Sequence, residues 1–194
     1  MKNKRTLYLL AAAVLVALLA VIGVVRFVLP DLLAPAPELV DASGIRVNPV
    51  ENLNPDFIMG ADVSMLAQME ASGALFYVNG KPRDCLSILK DQGINWIRLR
   101  IWNDPTDVNG LPLGGGNNDL AKTVAIAKRA KALGLKFFLD FHYSDWWADP
   151  GKQNKPKAWA DLHGEALNTA VYDYTANVLR TLAKAGAMPD MVEL

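Results

Sequence analysis

Residues 94–102 read INWIRLRIW. From Ile97 onward apolar and polar side chains alternate. Ile97, Leu99 and Ile101 fall on one side, and Arg98, Arg100 and Trp102 on the other. A period of two belongs to a strand, whose successive side chains point to opposite faces. The same split recurs in two further runs. In residues 57–63, Phe57, Met59, Ala61 and Val63 oppose Gly60 and Asp62, with Ser64 continuing the polar side. In residues 136–143, Phe137, Leu139 and Phe141 oppose Asp140 and His142.

Helical patterns separate these runs. Residues 84–92 predict a short helix. Residues 120–133 predict a second, opened by the polar Asn117-Asn118-Asp119 and closed by Gly134. Residues 165–184 predict a third, ended by Gly186, with Glu165 placed to meet the positive end of its dipole. Residues 191–194 begin a fourth strand. Strands alternating with helices imply parallel pairing through crossover connections.

Parity then chooses between two parallel architectures. A sheet covered by helices on both faces has strands that are apolar throughout. Arg98, Arg100, Asp140 and His142 would be costly to bury under such a layer. A closed barrel covers one face with helices and turns the other toward its axis, with the site at the C-terminal ends of the strands. The sequence therefore predicts an α/β fold, a (β/α)8 TIM barrel, of which residues 56–194 hold the first half, about four strands.

The N-terminal part reads differently. Lys2, Lys4 and Arg5 precede an apolar run over residues 7–25. That length is close to the roughly 20 residues a membrane-spanning helix needs and longer than an ordinary signal-peptide core. Residues 1–28 are expected to be a signal or anchor segment, with the positive flank in the cytoplasm and the remainder exported. Ala34-Pro35-Ala36 has the small residues of a cleavage site, but Pro37 follows it, so cleavage and anchoring both stand. Pro30, Pro35, Pro37, Pro49 and Pro55 mark residues 29–55 as a linker.

Composition removes several classes. The formal net charge is zero, and no basic stripe suggests nucleic acid. The single cysteine, Cys85, excludes an internal disulfide and a multi-cysteine metal site. Leu86, Ile88 and Leu89 beside it suggest a packed thiol on a helix. Gly114-Gly115-Gly116 lacks the lysine and hydroxyl of a P-loop and the spacing of a dinucleotide fingerprint. His142 and His163 have no metal-pair spacing. No cofactor and no metal are expected, and the membrane is met only through the N-terminal segment.

The loops after the strands point to a ligand class. Trp146, Trp147 and Trp159 offer flat faces, and Asn117, Asn118, Asp119, Asp145 and Asp149 offer amides and acceptors. Flat apolar planes beside hydroxyl acceptors suit a sugar ring. Each tryptophan also reads as core, and the adjacent Trp146 and Trp147 are not expected to face the same way. The deeper Arg98 and Asp140 read equally as an ion pair or as ligand contacts. Arg100, Trp102 and His142, nearer the strand ends, read as ligand contacts.

From Met59 to Leu194 the chain resembles glycoside hydrolase family 53, the endo-β-1,4-galactanases. The matching stretches are GADVS from Gly60, INWIRLRIWNDP from Ile94, GGGNNDLAKTVAIAKRAKALGLK from Gly114, LDFHYSDWWADPGKQNKPKAW from Leu139, then AVYDYTANVL and PDMVEL. The resemblance implies a retaining hydrolase that cuts internal bonds of β-1,4-galactan or arabinogalactan, the side chains of pectin. It implies two catalytic glutamates, an acid/base in an Asn-Glu pair at the end of the fourth barrel strand and a nucleophile at the end of the seventh. Both are expected beyond Leu194, with the chain a fragment or a truncated product, and Glu193 is expected to be neither. The substrate contacts implied are Asp62, Arg98, Arg100, Trp102, His142, Asp145, Trp147 and Asp149. Two other readings stand beside this one: a non-catalytic carbohydrate-binding protein, and a related barrel glycosidase acting on another β-linked polysaccharide.

Overall fold

A computed structural model describes residues 50–194. The expected signal or anchor segment, residues 1–28, and most of the expected linker, residues 29–55, lie outside the described residues. Contacts divide the chain after Glu51, and the elements below belong to the second unit, Asn52–Leu194. No helix among the described residues is long and apolar enough to cross a membrane.

The elements run β1 (Gly60–Asp62), α1 (Leu66–Ala71), β2 (Phe76–Val78), β3 (Lys81–Arg83), α2 (Cys85–Asp91), β4 (Trp96–Ile101), α3 (Leu120–Ala132), β5 (Lys136–Phe141), a 3-10 turn (Lys157–Trp159), α4 (Gly164–Lys184) and β6 (Met191–Glu193). Strands β1, β4, β5 and β6 form one parallel sheet in that order. Neighbours in the sheet follow one another along the chain, with no reversal of direction in the strand order. That sequential order, with helices on a single face, is the arrangement of a (β/α) barrel and not of a doubly wound sheet. The structure is a partial barrel of four strands.

The apolar parity is the helix-covered face. Ile97, Leu99 and Ile101 of β4 and Phe137, Leu139 and Phe141 of β5 are buried in one cluster. Leu66 of α1, Leu86 of α2, Ile126, Ala127 and Ala130 of α3, and Val178 and Leu182 of α4 join it. In α3, Thr123, Ile126, Ala127 and Ala130 recur at the spacing of one helix face. Two alanines in that stripe let the helix approach the sheet closely. Each fully buried leucine or isoleucine contributes about 1.5–3 kcal/mol of apolar transfer free energy. The starts of α2 and α3 are capped by side chains. Asp84 accepts the Ser87 N–H at 2.8 Å, and Asp119 accepts the Lys122 N–H at 2.8 Å.

Three local expectations differ from the structure. The first strand pairs only over Gly60–Asp62, and Phe57 is 54% exposed. A short helix, α1, follows it. A two-stranded antiparallel hairpin, β2–β3, precedes α2. Its turn is Asn79-Gly80, both with positive φ, 51° and 72°, as a tight two-residue hairpin turn requires.

Candidate functional site

The polar parity of the four strands meets at Arg98. In the register Arg98 stands beside Asp62 on β1 and Phe138 on β5, while Asp140 stands beside Glu193 on β6. The Arg98 guanidinium donates from Nη1 to Asp62 Oδ2 at 2.7 Å and from Nη2 to Glu193 Oε2 at 3.1 Å. Nη2 also bonds Asp140 Oδ2. One arginine thus holds a carboxylate from each of three other strands. Phe138 lies beneath it, 5.7 Å from the guanidinium carbon to the ring centre.

The charges fix one another. Burial alone would raise the Asp62 carboxyl. The bonds from Ser64 and Arg98 and the charge of Arg100 outweigh it and hold the group below the ordinary carboxylate value. Burial would likewise discourage charge on Arg98, but Asp62, Glu193 and Asp140 hold it above the ordinary arginine value. The deeper pair, Arg98 and Asp140, is therefore an ion pair in this structure.

His142 stands one step above Asp140. Its Nδ1 accepts the Ala148 N–H at 3.0 Å, so the ring proton sits on Nε2, which donates to Asp140 Oδ2 at 3.1 Å. Both nitrogens are engaged, and the imidazole links the strand network to the loop beyond. Among the described residues no group of three His, Cys, Asp or Glu side chains is placed to hold a metal ion.

An aromatic cluster lies beside this network. The Trp102 ring meets His142 edge-on at 5.7 Å and Trp147 at 5.8 Å between centres. The Arg100 guanidinium sits 4.1 Å from the Trp147 ring centre, a cation–π contact. Arg100 also donates to Asp62 Oδ1 at 3.3 Å, and its N–H donates to Ser64 Oγ at 2.9 Å. Trp102 is fully buried, and its carbonyl accepts the Tyr174 hydroxyl of α4 at 3.0 Å. Trp146 and Trp147 are 44% and 39% exposed. Of the adjacent pair, not expected to face the same way, both are half-open to solvent, and Trp147 also packs against Arg100, Trp102 and His142. Trp159, in contrast, is 7% exposed and packs edge-on against Tyr174. It is a core residue.

The two loops that carry these groups are clamped together. Asp145 accepts the Asp104 N–H on Oδ1 at 2.9 Å and the Lys157 N–H on Oδ2 at 2.7 Å. Lys157 Nζ donates to the carbonyls of Asp104 and Thr106 at 2.9 and 2.7 Å and pairs with the carboxylates of Asp104 and Asp145. Asp145, expected at a subsite, has both oxygens committed to this clamp. Spacing held no signal for Lys157, since its Asp104 and Thr106 partners lie 53 and 51 residues away. Asn118, expected as a ligand amide, is buried, and its backbone carbonyl accepts the Trp102 N–H. Asp119 is spent on the α3 cap.

A cleft of about 710 Å³ opens at the strand ends, lined among others by Arg98, Asp140, His142, Asp149, Lys155 and Glu193. The sequence-named Asp62, Arg98, Arg100, Trp102, His142 and Trp147 form one contiguous network, of which Arg98 and His142 line the cleft, while Trp102, expected as a ligand contact, is fully buried. Asp149 also lines the cleft, whereas Asp145 is buried and does not.

The model of "Glycosyl hydrolase family 53" matches residues 58–194 of this chain. An endo-beta-1,4-galactanase of Bacillus subtilis (strain 168) is 50% identical over 154 residues, 79% of this chain and 36% of that protein. An arabinogalactan endo-beta-1,4-galactanase of Cellvibrio japonicus is 39% identical over 142 residues, 73% of this chain and 36% of that protein. The solved "Ignisphaera aggregans GH53 catalytic domain" superposes with a TM-score of 0.74 at 52% identity, covering 76% of this chain and 41% of that one. The chain spans little more than a third of the curated relatives it matches.

Proposed function

The chain belongs to glycosyl hydrolase family 53, and from that premise we propose that it supplies the substrate bed of an endo-β-1,4-galactanase acting on galactan or arabinogalactan. The observation that carries the reading is the pair of exposed indoles, Trp146 and Trp147, the second of which rests against Arg100 and so joins the Asp62–Arg98 network. The indoles offer faces to the C–H side of a pyranose ring. Asp149 on the cleft wall offers a partner for its hydroxyls.

On this reading hydrolysis is retaining. It uses two glutamates of the full-length protein whose carboxyl groups stand about 5–5.5 Å apart, and both are assigned beyond Leu194. The carboxylates of Asp62, Asp140 and Glu193 are each tied to Arg98, which leaves them structural. Arg98 supports the charge of the site from below, and Arg100 braces Trp147. The reading extends to export through residues 1–28, toward a pectic substrate outside the cytoplasm.

The test is calorimetric titration of the chain with β-1,4-galactotetraose, with xylo-, manno- and cello-tetraose alongside. Preferential binding of the galacto-oligosaccharide is expected. Equal affinity for all four, or none for any, overturns the substrate assignment. Reducing-sugar release from galactan, xylan, mannan and cellulose by the full-length protein tests the reaction.

A further inference from the structure

The run Gly114-Gly115-Gly116 holds three glycines in a row, all with positive φ. Their surroundings differ. A Cβ on Gly114 would meet nothing within 4 Å. A Cβ on Gly116 would lie 2.2 Å from the Ser64 carbonyl oxygen, so that glycine lets the loop cross the backbone after β1. A Cβ on Gly115 would lie 2.9 Å from Trp147 Nε1, 3.2 Å from Trp146 Nε1 and 3.2 Å from Trp102 Cη2. Three indoles from two loops converge on one α-carbon. The Trp146 Nε1–H also donates to the Gly114 carbonyl at 3.3 Å.

We infer that Gly115 is a positioning residue for the exposed indole pair: the missing side chain sets where Trp146 and Trp147 stand. The inference deepens the galactan-binding reading and rests on it for the ligand measurement alone. Trp102 is fully buried and fixed by its backbone bonds, so it forms the immobile wall. Trp146 and Trp147 are half-open to solvent and are the groups able to yield. An added methyl group therefore displaces the two outer rings rather than the core. Displacing Trp147 also takes its ring off the Arg100 guanidinium, which lies 4.1 Å from the ring centre.

The experiment compares Gly115→Ala with Gly110→Ala. Gly110 lies in the same loop with φ +78°, near the +70° of Gly115, and a Cβ added to it would meet nothing within 4 Å. The two variants share the backbone strain of alanine in the left-handed region and differ in the steric contact. Acrylamide quenching of tryptophan fluorescence is expected to change in G115A and not in G110A. Galactotetraose affinity is expected to fall about tenfold further in G115A than in G110A, the loss from one displaced stacking face. Quenching and affinity that are the same in both variants overturn the proposal. If the natural chain binds no galactotetraose, the functional reading fails, and the quenching comparison still decides the role of Gly115. Should G115A not fold, Gly115→Ala is combined with Trp147→Phe, which removes the nearest ring nitrogen. Recovery of folding supports the assignment. Failure of that double variant, with G110A plus W147F folding normally, overturns it.

Discussion

The Arg98 guanidinium bonds the carboxylate of Asp140, although the register sets Arg98 beside Phe138 and Asp140 beside Arg100. The side chain therefore climbs along the sheet toward the strand ends, leaving Phe138 under it. This diagonal reach lets one cation serve Asp62, Asp140 and Glu193 together. Arg98→Met would leave three clustered carboxylates without their cation. The expected loss is about 2 kcal/mol, below the ~3–5 kcal/mol of a fully buried pair because the side chain is partly exposed. Urea denaturation measures it. The double variant R98M with Asp140→Asn is expected to lose less than the sum of the two single changes.

Part of the acid sensitivity should trace to the outer helices. Arg129 of α3 bonds Glu70 of α1 at 2.7 and 2.8 Å and also bonds Asp84, the α2 cap. Burial would raise the Asp84 carboxyl, but Arg129 and Ser87 outweigh it and hold the group below its ordinary value of 3.8. A depressed folded-state value gives stability that is fully present above the unfolded value and lost as the pH falls through the folded one. The urea midpoint is expected to decline below about pH 4. Asp84→Asn should lower the midpoint at neutral pH and flatten that decline. An unchanged acid limb in D84N would remove Asp84 from the account.

His142 is expected to keep its proton on Nε2, since Nδ1 is occupied by the Ala148 N–H. Long-range ¹H–¹⁵N spectra of the imidazole at neutral pH report the tautomer directly, and a dominant Nδ1–H form would contradict the geometry. His142→Ala removes a donor from Asp140 and an acceptor from the loop. It should cost about 1–3 kcal/mol of stability through the two unpaired groups and weaken galactotetraose binding.

Tryptophans close in sequence should behave in opposite ways. Trp147→Ala, at a half-open site, should weaken galactotetraose binding about tenfold with little change in unfolding midpoint. Trp159→Ala, in the core against Tyr174, should cost about 3–5 kcal/mol of stability. Equal effects of the two substitutions on both measurements would refute the division.

The sheet was legible because six-residue strands such as β4 and β5 show parity several times over. The cores of α3 and α4 were legible from caps and spacing. Helix α1 was not: it has six residues, and Met65 at its start makes no capping bond through its side chain. The β2–β3 hairpin did carry a signal, the Asn79-Gly80 pair, which local reading finds when flanking strands are sought. The extent of β1 was misjudged because Phe57, Ile58 and Met59 are apolar yet exposed. Within the candidate site, the placement of the strand residues Asp62, Arg98 and Arg100, and of Trp102 and His142 one position past β4 and β5, on the polar face follows from parity alone. Loop residues do not, because their partners lie far along the chain. Asp145 has the look of a free acceptor in the sequence, whereas Lys157 and Asp104 occupy it in the fold.

The Lys157 clamp has a consequence for redesign. Its ammonium draws partners from the loop after β4 and the loop after β5 at once. Transplanting the loop after β4 alone would take Asp104 and Thr106 from Lys157 and the Asp104 N–H from Asp145. Transplanting the loop after β5 alone would leave the Asp104 carboxylate and the Asp104 and Thr106 carbonyls without the ammonium. The two loops therefore form a single exchangeable cassette, and altered sugar preference is best sought by swapping them as a pair.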